Sequence, residues 1–111
     1  MHDDIGLIRR MVEFYSPATE EAELSAFLVD QMRKRGFKTH QDEVGNAVGE
    51  VGCGDRHIAL IGHIDTAPGI VPVREEDGVL YGRGSVDAKG SFATFVCAAS
   101  RLTEVTGTRI T

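Results

Sequence analysis

The stretch LIGHIDTAPG at positions 60–69 places a histidine and an aspartate at the end of an apolar run. Side chains two residues apart on an extended strand point to the same side, so we expect His63 and Asp65 to face one another. A neutral imidazole is a good ligand for zinc or cobalt, and a metal-bound histidine usually donates its other ring N–H to a carboxylate. The pair therefore has the residue types of a metal ligand, His63, and of the carboxylate that orients it, Asp65.

A second acidic residue lies in a glycine-rich stretch, GRGSVDAKG, at positions 82–90. Asp87 falls where the sequence predicts the start of a helix, so its carboxylate would project from the helix start into the same cleft. A carboxylate has two oxygens and can bridge two divalent cations, and two such cations can polarise a carbonyl and activate water. The three residues together predict a site for two metal ions.

Each of these residues also has an ordinary structural explanation. A histidine after an apolar run is more often a structural residue than a ligand, and an aspartate at a helix start is more often an N-cap. The glycine-rich stretch lacks the GxxxxGK(S/T) spacing of a phosphate-binding loop, and it follows a predicted hairpin rather than a buried strand. The combination of the three residues in this order is what favours a metal site.

Three helices are expected from apolar residues at helical spacing, over residues 3–15, 20–35 and 88–105. Their buried stripes are predicted to be Ile5, Ile8, Met11, Val12 and Tyr15 in the first, Leu24, Phe27, Leu28 and Met32 in the second, and Phe92, Phe95, Val96, Ala99 and Leu102 in the third. Thr19 is the predicted N-cap of the second helix and Gly36 its left-handed end. The basic triplet at 33–35 is interpreted as a solvated helix end.

Strands alternate with these helices. The predicted strands are 37–41, 46–51, 57–62, 71–75 and 79–81, and the tail 106–111 is expected to begin another. The GCGD stretch at 52–55 is a predicted turn, and Asp77-Gly78 is a strong hairpin signal. Residues 57–62 are mostly apolar with little alternation, which is typical of a central strand covered on both faces. The pattern predicts an α/β fold.

Composition narrows the class of protein. A length of 111 residues favours a single domain, and the formal net charge is −5 with scattered positive charges, which argues against a nucleic-acid partner. No apolar run approaches the roughly 18 residues that a membrane span needs, and the N-terminus does not resemble a signal peptide. The two cysteines, Cys53 in a predicted turn and Cys97 in a predicted core, form no disulfide framework. A cytoplasmic protein without a membrane partner is expected.

The motifs GHIDTAPG and DGVLYGRGSVDAKG resemble those of the M20 metallopeptidases, the acetylornithine deacetylase and succinyl-diaminopimelate desuccinylase family. The resemblance covers essentially the whole chain. It is strongest to hydrolases that release lysine or ornithine from an amino-group carrier protein in lysine and arginine biosynthesis. The residues that carry this narrower similarity are Ile64, Pro72, Val73, Arg74, Ser85 and Val86. The implied architecture is a partial three-layer α/β/α mixed sheet of a zinc-exopeptidase-like catalytic domain.

The resemblance also implies roles for the candidate residues. His63 would bind one metal, Asp87 would bridge two, and Asp65 would be the catalytic-site carboxylate that orients His63. The two divalent ions would be zinc, with cobalt as the alternative, and the Asp87–Ala88 peptide would be a candidate for the cis form. The implied reaction is hydrolysis of an amide on a small amino-acid-like substrate, for which the metals activate water and a glutamate moves the proton.

The 111 residues lack other parts of the family pattern. The catalytic Glu-Glu pair, a further acidic ligand, a distant histidine ligand and the dimerisation domain of the homodimeric enzymes have no counterpart here, and His2, His40, His57 and Glu104 are not placed to replace them. We therefore expect residues 1–111 to be the N-terminal portion of a truncated catalytic domain, inactive alone. The alternatives are a non-catalytic metal-binding or interaction module, or another M20 activity: acetylornithine deacetylase, desuccinylase or dipeptidase.

Overall fold

A computed structural model describes residues 3–102 and 104–111 and shows a mixed α/β fold; the expected surface position of His2 lies outside the described residues. The elements are α1 (Asp4–Glu13), α2 (Ala22–Lys34), β1 (Lys38–Gln41), β2 (Ala47–Ile58), β3 (Arg74–Glu76), β4 (Val79–Tyr81), α3 (Lys89–Ser100) and β5 (Thr106–Ile110). Strands β1, β2 and β5 form one mixed sheet in the order β1-β2-β5, and β3 and β4 form a separate hairpin. The predicted α/β class is confirmed.

Strand β2 consists of two arms with β5 between them. Val51 in the first arm and Ile58 in the second both lie opposite Ile110. In the second arm, residues 56–58 pair with 108–110 in the same chain direction, so this pairing is parallel. In the first arm, residues 51–53 pair with β5 in the opposite chain direction. Strand β5 therefore fills the space between two arms of one long strand, and β1 pairs antiparallel with the first arm on its other side.

Glycines allow the bend between the two arms. Gly54 has φ 134°, and a Cβ placed on it would lie 2.3 Å from the backbone of Gly107 in β5. A side chain cannot fit so close to another backbone, so only glycine permits this approach. The turn predicted at 52–55 is not a break between strands: these residues belong to β2, where they form an irregular bend with shifts of the pairing register.

The prediction of a doubly covered strand at 57–62 is wrong. Strand β2 ends at Ile58, although the N–H of Leu60 donates to the carbonyl of Thr111 at 2.7 Å and extends the pairing with β5. Leu60 packs on the core, but Ile58 is 49% and Ile61 86% exposed. An apolar strand is buried on both faces only when other elements pack against both. Here the described residues pack against one face of the 57–62 run and leave the other face exposed.

Helix α2 matches its prediction more closely than α1 does. The predicted stripe of α2 contributes three buried residues, Leu24, Leu28 and Met32, with Phe27 packed against them. In α1 the buried residues are Leu7, Met11 and Val12. Ile5 and Tyr15, predicted to be buried, are 70% and 47% exposed. The buried face of α1 is therefore rotated towards Leu7.

Several predicted helix ends differ in the structure. Thr19 has φ 74° and is not the N-cap of α2, which begins at Ala22 with Glu21 in the cap position. Helix α3 ends at Ser100, so Leu102 lies beyond it and is 44% exposed rather than part of the core. No helix in the described ranges is both long and apolar enough to cross a membrane.

Other local predictions are confirmed. Gly36 ends α2 with φ 96°, and the turn between β3 and β4 has positive φ angles at Asp77 and Gly78, as a tight hairpin requires. Cys97 is buried in the core, and Cys53 is exposed; both are free thiols.

The interpretation of the 33–35 triplet as a solvated helix end is wrong for Arg35. Its guanidinium is buried, donating to the Asp4 carboxylate at 3.0 Å and to the carbonyl of Asp3 at 3.2 Å. The reason is tertiary: the start of α1 lies against the end of α2.

Candidate metal site

The three predicted site residues lie together at one place in the fold. His63 Nε2 is 3.0 Å from Asp87 Oδ1, and His63 Nδ1 is 3.2 Å from Asp65 Oδ1. Nδ1 is also 3.1 Å from the backbone carbonyl of Asp65. The imidazole therefore has one carboxylate at each ring nitrogen. In the sequence, Asp87 is 24 positions from His63 and Asp65 is two positions from it.

The backbone at His63 and Asp65 is fixed by the connection between α1 and α2. The hydroxyl of Ser16 donates to the carbonyl of Ile64 at 2.8 Å, and the carbonyl of Ser16 accepts from the N–H of Thr66 at 2.9 Å. Pro17 and Thr66 also form an isolated parallel bridge. These contacts hold the loop after β2 in an extended form in which residues 63 and 65 point to the same side.

Asp87 is positioned by the first residues of α3. The Asp87–Ala88 peptide is cis, as expected from the family resemblance. Lys89 is fully buried: its Nζ donates to the carbonyl of Phe14 at 2.8 Å, and its backbone N–H donates to the carbonyl of Gly84 at 2.9 Å. Burial lowers the pKa of the Lys89 ammonium.

The ordinary explanation of Asp87 as a helix N-cap does not apply. The N-cap of α3 is Ala88, and no side-chain hydrogen bond caps this helix. The carboxylate of Asp87 is 88% exposed and has its short contact with His63 instead. Its position therefore has no helix-capping explanation.

Charge and exposure at the site favour an added cation. The side chains of His63 and Asp65 are 52% and 44% exposed, so the site is open to solvent. The hydrogen bond to the Asp65 carbonyl, together with the two carboxylates, raises the pKa of His63 above its ordinary value. Positive charge is stabilised at this imidazole because two carboxylates flank it.

The donor atoms fit part of a zinc site. Two ligands on a tetrahedral zinc, each about 2.0–2.2 Å from the metal, are separated by roughly 3.4 Å. The observed 3.0 Å between His63 Nε2 and Asp87 Oδ1 is close to that separation. Asp65 lies at the other ring nitrogen, Nδ1, and so does not add a ligand next to Nε2. In the described part of the chain, no group of three or more His, Cys, Asp or Glu side chains could hold one ion together.

An apolar cavity of about 800 Å³ opens beside the site. Its lining comes from α2, α3, the strands and the loop after β2, and it includes Leu60, His63, Asp65, Phe92 and Phe95. A volume of this order is ample for a small ligand. Asp87 does not line this cavity, so the carboxylate and the apolar space meet the imidazole from different directions.

Two residues that hold the site were not predicted from the sequence. Ser16 gives no local signal, because its partner Ile64 is 48 residues away. Lys89 does give one: a cation in the first turn of a helix faces the positive end of the helix dipole, which disfavours it unless another contact compensates. That contact is the carbonyl of Phe14.

Comparison with known proteins agrees with the motifs. Residues 59–109, which include all three site residues, match Peptidase family M20/M25/M40. The LysW-lysine hydrolase of Deinococcus radiodurans is 56% identical over 97 residues, covering 86% of this chain and 27% of that protein. The putative LysW-lysine/LysW-ornithine hydrolase of Thermococcus kodakarensis is 52% identical, with 86% and 28% covered. The chain thus spans little more than a quarter of the length of these relatives.

Solved structures show the same fold over a similar share. Human carnosine dipeptidase 1 superposes with a TM-score of 0.71 at 20% identity, covering 96% of this chain and 31% of that one. An M20 family metallo-carboxypeptidase from Sulfolobus solfataricus gives 0.70 at 18% identity, with 99% and 30% covered. The resemblance found in the motifs is therefore confirmed, since residues 59–109 match Peptidase family M20/M25/M40 and an M20 family metallo-carboxypeptidase shares the fold.

Proposed function

We propose that this chain carries the metal-binding part of an amide-bond hydrolase that releases lysine or ornithine from an amino-group carrier protein such as LysW. The observation that carries the proposal is the His63 imidazole flanked by two carboxylates, inside the segment that matches the family. Residues 1–111 would then be the N-terminal portion of the catalytic domain, with the rest of that domain and the dimerisation domain outside them. A homodimer and a cytoplasmic location stay predictions.

The three residues would have separate roles. Asp65 would accept the proton of His63 Nδ1, through its carbonyl or its carboxylate, which would leave the lone pair of Nε2 free for a metal. Asp87 supplies the carboxylate next to Nε2 and would bridge to a second ion. The bound ions, zinc or alternatively cobalt, would supply Lewis acidity that polarises the amide carbonyl and lowers the pKa of water.

The relatives favour a carrier-linked substrate over the other activities of the family. The relatives named as LysW hydrolases reach 56% and 52% identity, whereas two succinyl-diaminopimelate desuccinylases are 31% and 30% identical over a comparable share of the chain. Desuccinylation is therefore the second candidate. Both candidates are amide hydrolyses of an amino-acid-like substrate, so they differ in what the site must recognise rather than in the chemistry of His63 and Asp87.

A chimeric enzyme tests the proposal. Residues of this chain replace the matched 97 residues of the Deinococcus enzyme, and lysine release from LysW-lysine is measured beside hydrolysis of succinyl-diaminopimelate. We expect lysine release in the chimera, its loss together with bound zinc in His63→Ala, and no change in His40→Ala. His40 is a matched control because it is an exposed histidine on β1 that does not line the cavity beside the site.

Two results would contradict the proposal. If His63→Ala kept both zinc and activity, the site assignment would be wrong. If a folded, zinc-loaded chimera hydrolysed succinyl-diaminopimelate and left LysW-lysine intact, desuccinylation would replace carrier release.

A further inference from the structure

One short segment contacts both halves of the candidate metal site. Residues 14–17 are the first part of the connection between α1 and α2, and they lie between the loop that carries His63 and the stretch before α3 that carries Asp87. On one side, Ser16 holds the backbone on either side of Asp65 through Ile64 and Thr66. On the other side, the carbonyl of Phe14 accepts from Lys89, two residues after Asp87.

We infer that the 14–17 segment sets the separation of His63 and Asp87, and that Ser16 and Lys89 are positioning residues of the metal site. The inference rests on the proposed function, because it assigns these residues a purpose only if the two ligands share a metal. Neither residue touches the site; each acts through the backbone next to a ligand.

Burial makes these contacts specific. Ser16 is 1% exposed and Lys89 0% exposed, and a buried hydroxyl or ammonium without a partner is costly. Each side chain therefore fixes its carbonyl acceptor in one place. An exposed serine or lysine could exchange its partner for water, and it would then tolerate drift of the loop.

Further contacts tie the same loop to the segment and to the glycine-rich stretch. The N–H of Gly69 donates to the hydroxyl of Tyr15 at 3.1 Å, and its carbonyl accepts from Arg83 Nε at 2.9 Å. A Cβ on Gly84 would lie 2.6 Å from the methyl of Thr66, so the two ligand-bearing segments also approach each other directly. The loop after His63 is held at three points along its length.

The inference predicts that removing the Ser16 hydroxyl weakens zinc binding by more than the accompanying loss of folding stability explains. Ser25 is the matched control: it is equally buried, and its hydroxyl donates to the carbonyl of Gly45 at 2.6 Å, away from the site. The chain is titrated with Zn²⁺ while the ring resonances of His63 are followed by NMR, and urea unfolding is measured in parallel. We expect Ser16→Ala and Ser25→Ala to lower the urea midpoint similarly. Only Ser16→Ala should weaken zinc binding at His63, by about 10-fold.

Lys89→Met tests the other half of the inference. Methionine keeps most of the aliphatic length and loses the donor to Phe14, so we expect a comparable weakening of zinc binding at His63, although residue 89 contacts neither His63 nor zinc. If Ser16→Ala did not fold, Tyr15→Phe would test the same segment. Tyr15 is 47% exposed, so its variant should fold, and loss of the acceptor for Gly69 should weaken zinc binding to a smaller extent.

The outcomes separate this inference from the proposed function. If the His63 resonances of the unmodified chain did not respond to zinc, the metal site itself would fail and the inference with it. If they responded, and the variants of the 14–17 segment bound zinc as Ser25→Ala does, the inference would be overturned while the metal site stood. Weakening in Ser16→Ala or Tyr15→Phe, and in Lys89→Met, with Ser25→Ala unchanged, would support it.

Discussion

Two regions of this molecule bring together charged side chains that are far apart in the sequence, and they differ in how the charges balance. The two groups are the Asp4 cluster, formed by Asp4, Arg35 and Arg101, and the His63 cluster, formed by His63, Asp65 and Asp87. In the Asp4 cluster, one carboxylate contacts two guanidiniums. In the His63 cluster, one imidazole contacts two carboxylates. The first cluster therefore has an excess of positive charge, and the second has an excess of negative charge.

Burial differs as well, because only the Asp4 cluster contains a buried charge. In that cluster the side chain of Arg35 is 3% exposed, that of Asp4 31% and that of Arg101 64%. All three side chains of the His63 cluster are at least 44% exposed. The hydrogen bond from Arg101, followed by that from Arg35, holds the pKa of Asp4 well below its usual range. Short distances between charges are common to both, so it is the excess of negative charge and the access to solvent that indicate a cation site.

Removing Arg35 should have the largest effect on stability. Arg35→Met keeps much of the buried aliphatic part and removes the guanidinium, leaving the Asp4 carboxylate with one cation and the Asp3 carbonyl with only the N–H of Leu7. We expect a loss of about 2–3 kcal/mol in the free energy of unfolding, measured in urea, because a partner of a buried ion pair is removed.

Arg33→Met is the matched control for this prediction. Arg33 lies in the same basic triplet, is exposed, and should change stability by less than about 0.5 kcal/mol. Equal losses in the two variants would mean that Arg35 contributes through the charge of the helix end rather than through the Asp4 cluster.

A smaller effect is expected from Asp65→Asn in the His63 cluster. Asparagine keeps an oxygen near Nδ1, and the backbone carbonyl of residue 65 still accepts from that nitrogen. The imidazole should stay oriented but lose one neighbouring negative charge, so zinc affinity should fall about 10-fold, the low end for such partners. Saturation should still be reached at high zinc, and stability should be nearly unchanged. Unchanged zinc affinity would refute the orienting role of Asp65.

Local sequence signals predicted the elements that depend on local physics. Gly36 and Asp77-Gly78 adopt positive φ angles where the sequence indicated, because few residues other than glycine and aspartate tolerate them. The buried face of α1 was not predictable in the same way. Ile5 and Leu7 are both apolar, and only the packing of α1 against α3 in the common core decides that Leu7 is buried and Ile5 exposed.

The same distinction between local and tertiary information applies to the candidate site. The proximity of His63 and Asp65 follows from the two-residue period of an extended chain, and the structure shows it. The approach of Asp87 to His63 is tertiary and was expected through its place at a helix start and the family resemblance. Ser16 could not be found, since its hydrogen-bond partners are brought to it only by folding.

The smallest effect is predicted for the change of stability with pH in acid. Folding lowers the pKa of Asp4 and raises that of His63, so their contributions to stability change with pH in opposite directions. Because the pKa of Asp4 is lowered by folding, its contribution is present above the unfolded value of about 4 and is lost as pH falls through the folded value. His63 has a raised pKa, so its contribution is complete below about pH 6.5 and adds no slope in acid. We therefore expect urea midpoints below pH 4 to fall less steeply in Asp4→Asn than in the unmodified chain.

Salt provides the control for that prediction. Folding also lowers the pKa of Asp42, but through hydrogen bonds from the side chain and backbone of Asn46 rather than through cations. Raising the ionic strength should therefore reduce the acid slope contributed by Asp4, which comes from partly exposed ion pairs, and leave that of Asp42 nearly unchanged. If Asp4→Asn kept the full acid slope, or if salt acted equally on Asp4→Asn and Asp42→Asn, the ion pairs of the Asp4 cluster would not be the source of the acid dependence.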